Sequence, residues 1–210
     1  AFQETDVIGI TAPITKWNCQ ITQVEEIPEI FAKAFFIAQN GRPGPVVIDI
    51  TKDAQFKTFN FHYPKNYQLK KLLPSIPSEK IIKQAAEIIN QAKKPYIIVG
   101  HGVLISKASQ ILTRFIEKSG IPVASTLHGL GSISSQHKNY VGMVGMHGHY
   151  APNKLTNQAD VLIAVGMRFD DRVTSTISTY VPYAKVIHID IDASEINKNI
   201  KTYISIIADA

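Results

Sequence analysis

A single cysteine, Cys19, stands in the 210 residues, so no disulfide can close within the chain and no thiolate cluster can bind zinc. That scarcity fits a reducing compartment. Cys19 has no general base beside it in the sequence, which makes it a structural residue rather than a nucleophile. Apolar runs are short, and none approaches the length needed to span a bilayer. The charged, apolar and small-residue order of a signal peptide is also missing. The formal charge of +5 does not indicate a nucleic-acid ligand, because the lysines are dispersed and no basic run is interleaved with stacking aromatics. No G-x-G-x-x-G occurs, so the usual dinucleotide fingerprint is lacking. A starting methionine is lacking too, and the chain ends at Ala210 just past an apolar run where a parallel sheet would continue into a covering helix, which reads as a piece of a longer protein.

What is present is alternation. Short apolar runs of the kind buried on both faces predict strands at 95–100, 122–126, 160–166, 185–191 and 204–209. Between them, Ile81, Ile82, Ala85, Ile88, Ile89 and Ala92 repeat at helical spacing behind Ser78, an N-cap residue with Glu79 in the first turn. Ile111, Leu112, Phe115 and Ile116 repeat likewise before Gly120, which stops a helix. The expected fold is therefore α/β, with a doubly wound parallel sheet over residues 76–210. Residues 1–54 carry the same grammar: Ile27, Ile30, Phe31, Ala34, Phe35 and Ala38 line a helical face begun by Pro28, and GRPGP turns the chain into VVIDI. This reads as the end of a second α/β domain. Residues 55–75, with Pro64 and Pro74 and no sustained period, read as the linker.

In an open parallel sheet, ligands bind beyond the carboxyl ends of the strands. Polar and small residues collect there: Gly100, His101 and Gly102 after the first expected strand, Thr126 at the end of the second, Arg168 to Arg172 after the third, and Asp190 and Asp192 at the end of KVIHIDID. A carboxylate ending a strand accepts from ribose hydroxyls, and glycines admit a diphosphate. The competing reading is that the glycines serve turns and the acids cap helices. His147 and His149 lack an evident third ligand or a cysteine, so they read as turn and hydrogen-bond residues rather than a metal site. Lys52 and Asp53 on these grounds alone are a solvated charged face.

The same residues lie in longer strings. AFQETD, GITAPITK, AFFIAQNGRPGPVVIDITKD, VGMVGMHG, AVGMRFDDRV and KVIHIDIDASEINKN together closely resemble the large catalytic subunits of the acetolactate synthase family, from Ala1 to Ala210. The resemblance implies that residues 1–54 are the end of a thiamine pyrimidine-binding domain and residues 76–210 a central FAD-binding domain, with a C-terminal thiamine diphosphate domain absent. It implies FAD-binding positions at Arg42, Gly102, Val103, Thr126, Leu127, Met146, His147, Gly148, Gly166, Met167, Arg168, Phe169, Asp170, Asp190, Ile191 and Asp209. Among these, Asp190 would accept from ribose, and the fork of Arg42 would suit a diphosphate. Phe2, Gln3, Lys52, Asp171 and Arg172 would line the substrate channel of a homodimer. The implied reaction decarboxylates pyruvate and condenses the two-carbon unit with pyruvate or 2-oxobutyrate. Thiamine diphosphate and Mg2+ are required and have sites mostly outside these residues; FAD is required but not reduced in the main cycle. A regulatory small subunit is a further possible partner. No catalytic set is complete here, so the 210 residues alone would be inactive.

Several positions depart from the family pattern, namely Trp17, Thr51, His101, His128 and His149, of which His101 and His149 would crowd a flavin. The rivals are another thiamine diphosphate carboligase or decarboxylase, against which RFDDRV and MHG argue, and a non-catalytic nucleotide-binding regulatory module. Lysine far outnumbers arginine, and isoleucine and asparagine are plentiful, as in AT-rich genomes. That composition implies the stroma of an algal plastid, or alternatively a bacterial cytoplasm.

Overall fold

The computed structural model describes residues 4–64 and 75–210, and the chain divides into two compact units, Ala1–Leu73 and Pro74–Ala210. In the first unit, α1 (Val7–Thr11) is capped by Asp6, whose Oδ1 accepts from Gly9 N at 2.8 Å. Strand β1 (Trp17–Ile21) leads through α2 (Ile27–Gln39) to β2 (Val46–Ile50), which pairs with it in parallel, Trp17 beside Val46. This is a βαβ unit, with Pro28 in the first turn of α2, where its missing N–H costs nothing. At the other end of α2, Lys16 Nζ donates to the carbonyls of Ile37, Asn40 and Arg42 at 2.7, 2.6 and 2.9 Å. Carbonyls left over at a helix terminus are thus tied to the GRPGP turn. Burial pushes the Cys19 thiol up against the opposing pull of Lys33, in keeping with a structural cysteine.

Strand β1 was not among the expected strands, and residues 55 and 56 of the expected linker belong to α3 (Lys52–Phe56). The first difference has a physical origin. WNCQI is too short and too polar to separate from a loop by pattern, and its strand state comes from pairing with the more apolar VVIDI. Beyond α3, Phe59, Phe61 and Tyr63 meet edge to face at 6.2 and 6.1 Å.

In the second unit, α4 (Glu79–Gln91) starts at Ser78, whose Oγ accepts from Ile81 N at 3.4 Å. There follow β3 (Pro95–Val99), α5 (His101–Ile105), α6 (Ser109–Ser119), β4 (Val123–Ser125), β5 (Tyr140–Met143), α7 (Tyr150–Gln158), β6 (Val161–Val165), α8 (Asp171–Thr174), β7 (Lys185–Asp190) and β8 (Ile204–Ile207). Gly120 closes α6 in the left-handed region, φ +70. Strands β3 to β8 form a parallel sheet in the order β5-β4-β3-β6-β7-β8. Alternate residues of each strand feed two apolar layers: Ile97, Val99, Ile163 and Ile187 one, Tyr96, Ile98, Leu162 and Val186 the other. In the inner strands β4, β3, β6 and β7 both faces are buried, as the apolar runs required.

Two departures matter. β5, whose Gly142 sits at φ +113, was not expected as a strand. Nor does an α-helix cover every crossover: only short 3₁₀ turns, Leu127–Gly129 and Ala193–Glu195, lie between β4 and β5 and between β7 and β8 among the described residues.

Asp160, just before β6, accepts from the backbone N–H groups of Lys93 and Lys94 at 2.7 and 2.9 Å and so ties the turn before β3 to its neighbour strand. Burial raises its carboxyl, but the hydrogen bonds from Lys93 and Lys94 outweigh that and hold it below the ordinary carboxylate value. A depressed folded pKa gives stability that is present above the unfolded value and lost as pH falls through the folded one. The melting-temperature advantage of the native chain over Asp160→Ala should therefore be constant near neutral pH and shrink below about pH 4. A difference that stays constant down to pH 2.5 would show that the carboxylate charge is not involved.

Candidate functional site

The chain moves outward from β3 through β4 to β5, returns to β6 on the other side of β3, and then continues through β7 to β8. The loops after β3 and β6 consequently run in opposite directions from adjacent strand ends. The point where the order reverses is the general position of ligand crevices in such sheets.

Its floor is backbone against backbone. Gly100 N donates to Val165 O and Gly102 N to Gly166 O, each at 2.9 Å, and Gly166 N to Ile189 O at 2.8 Å. A Cβ on Gly102 would lie 2.6 Å from Gly166 Cα, and Gly166 itself stands at φ +56. These glycines are required by the mutual approach of the two loops, before any ligand is considered. Val103, with 0% of its surface exposed, faces the core.

After Gly166 the chain alternates. Met167 and Phe169 turn inward and are buried, while Arg168 and Asp170 turn outward. With their side chains buried, Val103, Met167 and Phe169 could meet a ligand through backbone groups. Arg168 Nε donates to Asp170 Oδ2 at 3.0 Å, and Asp170 Oδ1 accepts from Val173 N at 3.1 Å, capping α8. Both the ligand reading and the helix-cap reading of this acid therefore have a physical basis. Asp171 and Arg172 are exposed, with Nε and Oδ2 3.8 Å apart. Beneath the segment, His188 Nε2 donates to Met167 O at 2.7 Å and Asn199 Nδ2 to Phe169 O at 2.6 Å.

The loop after β5, carrying Met146, His147 and Gly148, is brought to this segment. Met146 N donates to Arg172 O at 2.7 Å, and Arg172 Nη1 lies 3.6 Å from Met146 Sδ. Asn153 pairs with both backbone groups of Gly145, accepting from its N at 2.9 Å and donating to its O at 3.0 Å. His149 uses its imidazole in the same way: Nδ1 accepts from Met143 N at 3.3 Å, while its own N donates to Met143 O at 2.8 Å. It is a loop clamp, as the turn reading of GMHGH expected. Arg172, expected to look outward to the substrate channel, braces the Met146 loop through its carbonyl.

Around the rim, Thr126 Oγ1 accepts from Gly129 N at 3.2 Å, and Leu127 beside it is 62% exposed, as is Met146 at 54%. His101 Nδ1 lies 3.0 Å from His128 O. Asp190 ends β7 and accepts from Asp192 N at 2.8 Å; Ile191 follows, and Asp209 lies past β8. Arg42 and Lys52 belong to the first unit, Arg42 in the turn after α2 and Lys52 at the start of α3. Phe2 and Gln3 lie outside the described residues.

Pattern reasoning missed His188, Asn199 and Asn153. Each serves a carbonyl or amide in a distant loop, and no local spacing signals that.

The residues suit a dinucleotide such as FAD. A glycine-floored crevice admits a diphosphate, a half-exposed arginine and a strand-end carboxylate supply a donor and an acceptor, and Leu127 and Met146 offer apolar surface to a flat ring. Among the described residues, no three His, Cys, Asp or Glu side chains converge as a metal site. No helix among them is long and apolar enough to cross a membrane.

Comparison with known proteins agrees with this architecture. Residues 82–210 match the family described as thiamine pyrophosphate enzyme, central domain. Over its whole length the chain is 44% identical to the acetolactate synthase large subunit of Buchnera aphidicola subsp. Schizaphis graminum, covering 37% of that protein. It is 47% identical to a probable acetolactate synthase large subunit of Methanocaldococcus jannaschii, covering 36% of it, and 43% identical to the chloroplastic acetolactate synthase 2 of Nicotiana tabacum, covering 32% of it. The chain thus spans about a third of the length of the curated relatives it matches. With its parallel sheet and the match over 82–210, the chain belongs to the thiamine pyrophosphate enzyme family and carries that family's central domain.

Proposed function

We propose that these residues are part of an acetolactate synthase large subunit, with 1–54 the end of the thiamine pyrimidine-binding domain, 55–75 the linker and 76–210 the FAD-binding domain. The reaction decarboxylates pyruvate and condenses the remaining unit with pyruvate or 2-oxobutyrate. The products are 2-acetolactate and 2-aceto-2-hydroxybutyrate, on the common route to valine, leucine and isoleucine. The observation that carries the reading is the joining of the GMHG loop to RFDDRV through the Met146 N to Arg172 O hydrogen bond of 2.7 Å. Two motifs far apart in the chain meet beside the switch-point crevice, and whole-length identity to acetolactate synthases supports the activity.

Thiamine diphosphate, with Mg2+, supplies the electron sink for decarboxylation, and its sites lie mostly outside these residues. The chain's own residues bind and orient. Asp190 accepts from the ribose of FAD and Arg168 donates to the flavin end. Gly102 and Gly166 let the loops after β3 and β6 approach each other, and Gly148 lets the loop after β5 fold back onto Val144. Asp171 and Arg172, exposed on the outer side of the segment, face the 2-oxo acids, and the large subunits form a homodimer. Relatives include chloroplastic and bacterial enzymes; the AT-rich composition favours an algal plastid over a bacterial cytoplasm.

The test is product identity. The full-length subunit containing these residues, given thiamine diphosphate, Mg2+, FAD and pyruvate, should form 2-acetolactate. Turnover of glyoxylate or oxalyl-CoA without acetolactate would replace this reading by a rival thiamine enzyme.

Lys52 is exposed at the start of α3, where a cation attracts carboxylates without entering the chemistry. Lys52→Met should raise the KM for pyruvate several-fold, with a smaller change in kcat, as for loss of uniform binding. An unchanged KM at low ionic strength would remove the steering role.

A further inference from the structure

We propose that His188 is a positioning residue that sets the outward presentation of Arg168 and Asp170 and, through them, the affinity of the crevice for FAD. The inference rests on the reading of that crevice as the FAD site.

His188 lies on β7, in register with Ala164 of β6, and its side chain is 0% exposed. The layer around it is apolar, formed by Ala164, Met167, Phe169 and their neighbours. Leucine or phenylalanine would fill such a place without a polar penalty. The imidazole instead leaves Nδ1 buried and without a partner, and uses Nε2 for one contact, 2.7 Å from Met167 O. A carbonyl only accepts, so the hydrogen is on Nε2. No backbone N–H among the described residues donates to Met167 O. The buried histidine therefore supplies one directed donor to one loop carbonyl.

That carbonyl controls the segment. The Phe169 ring rests edge to face on the His188 ring with centroids 5.0 Å apart, so the same side chain fixes residues 167 and 169. Asn199, itself exposed, holds the Phe169 carbonyl at 2.6 Å. With 167 and 169 tied inward, the intervening Arg168 must project outward, and it meets Asp170 at 3.0 Å. Without the Nε2 donor, Met167 O is left buried and unserved. The loop then rotates to find another donor, and Arg168 moves with it.

The test uses the full-length subunit freed of flavin. FAD affinity is read by flavin fluorescence titration, the bound flavin by visible circular dichroism, and folding by calorimetry. In His188→Gln, Nε2 stands the same number of bonds from Cβ as in histidine and keeps the donor. In His188→Asn the amide is one carbon too short, and in His188→Leu the donor is gone. Glutamine should keep the FAD Kd within about threefold of the native value, while asparagine and leucine should raise it about tenfold or more and alter the flavin dichroism. If His188→Leu does not fold, the glutamine and asparagine pair decides. Equal Kd values for asparagine and glutamine, or native affinity in folded His188→Leu, would overturn the proposal even if melting temperatures fall, because a merely structural histidine would give that pattern. Arg168→Ala is measured alongside. If it leaves FAD affinity unchanged, the FAD reading of the crevice fails and this inference with it; if Arg168→Ala weakens FAD and His188→Asn does not, only the inference fails.

Discussion

Replacing Gly166 by alanine should destabilise the central unit more than any comparable glycine change in a turn. Two penalties coincide at this position. The residue sits at φ +56, a conformation that costs a side-chain residue about 1 kcal/mol. Its new Cβ would also lie 2.7 Å from Gly102 Cα and 3.0 Å from Val103 N. Both of these are backbone atoms that cannot rotate away, and overpacking of this kind costs about 1–3 kcal/mol. The expected loss is about 2–4 kcal/mol, or roughly 4–15 °C in the melting temperature of that transition. Gly120 provides the comparison: its φ is +70, but nothing lies within 4 Å of a Cβ there. Gly120→Ala should cost only the conformational part, about 1 kcal/mol. Calorimetry of both variants in the full-length subunit separates the terms. Equal melting temperatures would mean that the β3 and β6 loops do not pack as described.

The second large effect concerns the cofactor. Arg168 and Asp190 stand at the ends of neighbouring strands β6 and β7, and in the proposed site they hold the flavin and ribose ends of FAD. A charge-assisted hydrogen bond is worth about 1.5–3 kcal/mol, so Arg168→Ala or Asp190→Ala should weaken FAD binding by roughly ten- to a hundredfold. The Arg168 change also removes the Arg168–Asp170 ion pair. That pair is half exposed and adds little on its own. Asp171→Asn should behave differently. Its carboxylate is exposed and only loosely paired with Arg172 at 3.8 Å, so FAD affinity should stay near native while the kinetics for 2-oxo acids change. Loss of FAD by Asp171→Asn as severe as by Arg168→Ala would reassign the whole RFDDR segment to cofactor binding or folding.

How much of this was legible beforehand follows from what each element depends on. Strands β3, β6 and β7 are apolar runs with buried residues on both faces, β8 is an apolar run buried on one, and burial of that kind leaves a signal in composition. The ends of α4 and α6 were legible because Ser78 and Gly120 act on their own helices. Strands β1 and β5 were not, since the one alternates polar with apolar residues and the other carries Gly142 at φ +113; partners across the sheet decide both. The site divides in the same way. Arg168, Asp170 and Asp190 stand out as charges at strand ends, but their neighbours Met167 and Phe169 could not be assigned inward or outward from spacing. Nor could His188, Asn153 and Asn199 be found, because each acts on a backbone group that only the fold brings near. The reversal of strand order between β3 and β6, which creates the crevice, leaves no trace in the lengths or composition of the segments around it.

The central claim is that this crevice carries the FAD on which acetolactate formation depends. The most direct measurement is acetolactate formation by the full-length subunit, stripped of flavin and supplied with thiamine diphosphate, Mg2+ and pyruvate, as FAD is added back. The account predicts no product without FAD and saturation at one FAD per chain, with the Arg168→Ala curve displaced to roughly ten- to a hundredfold higher FAD. Full turnover in the absence of FAD, or superimposable curves for the native and Arg168→Ala proteins, would contradict it.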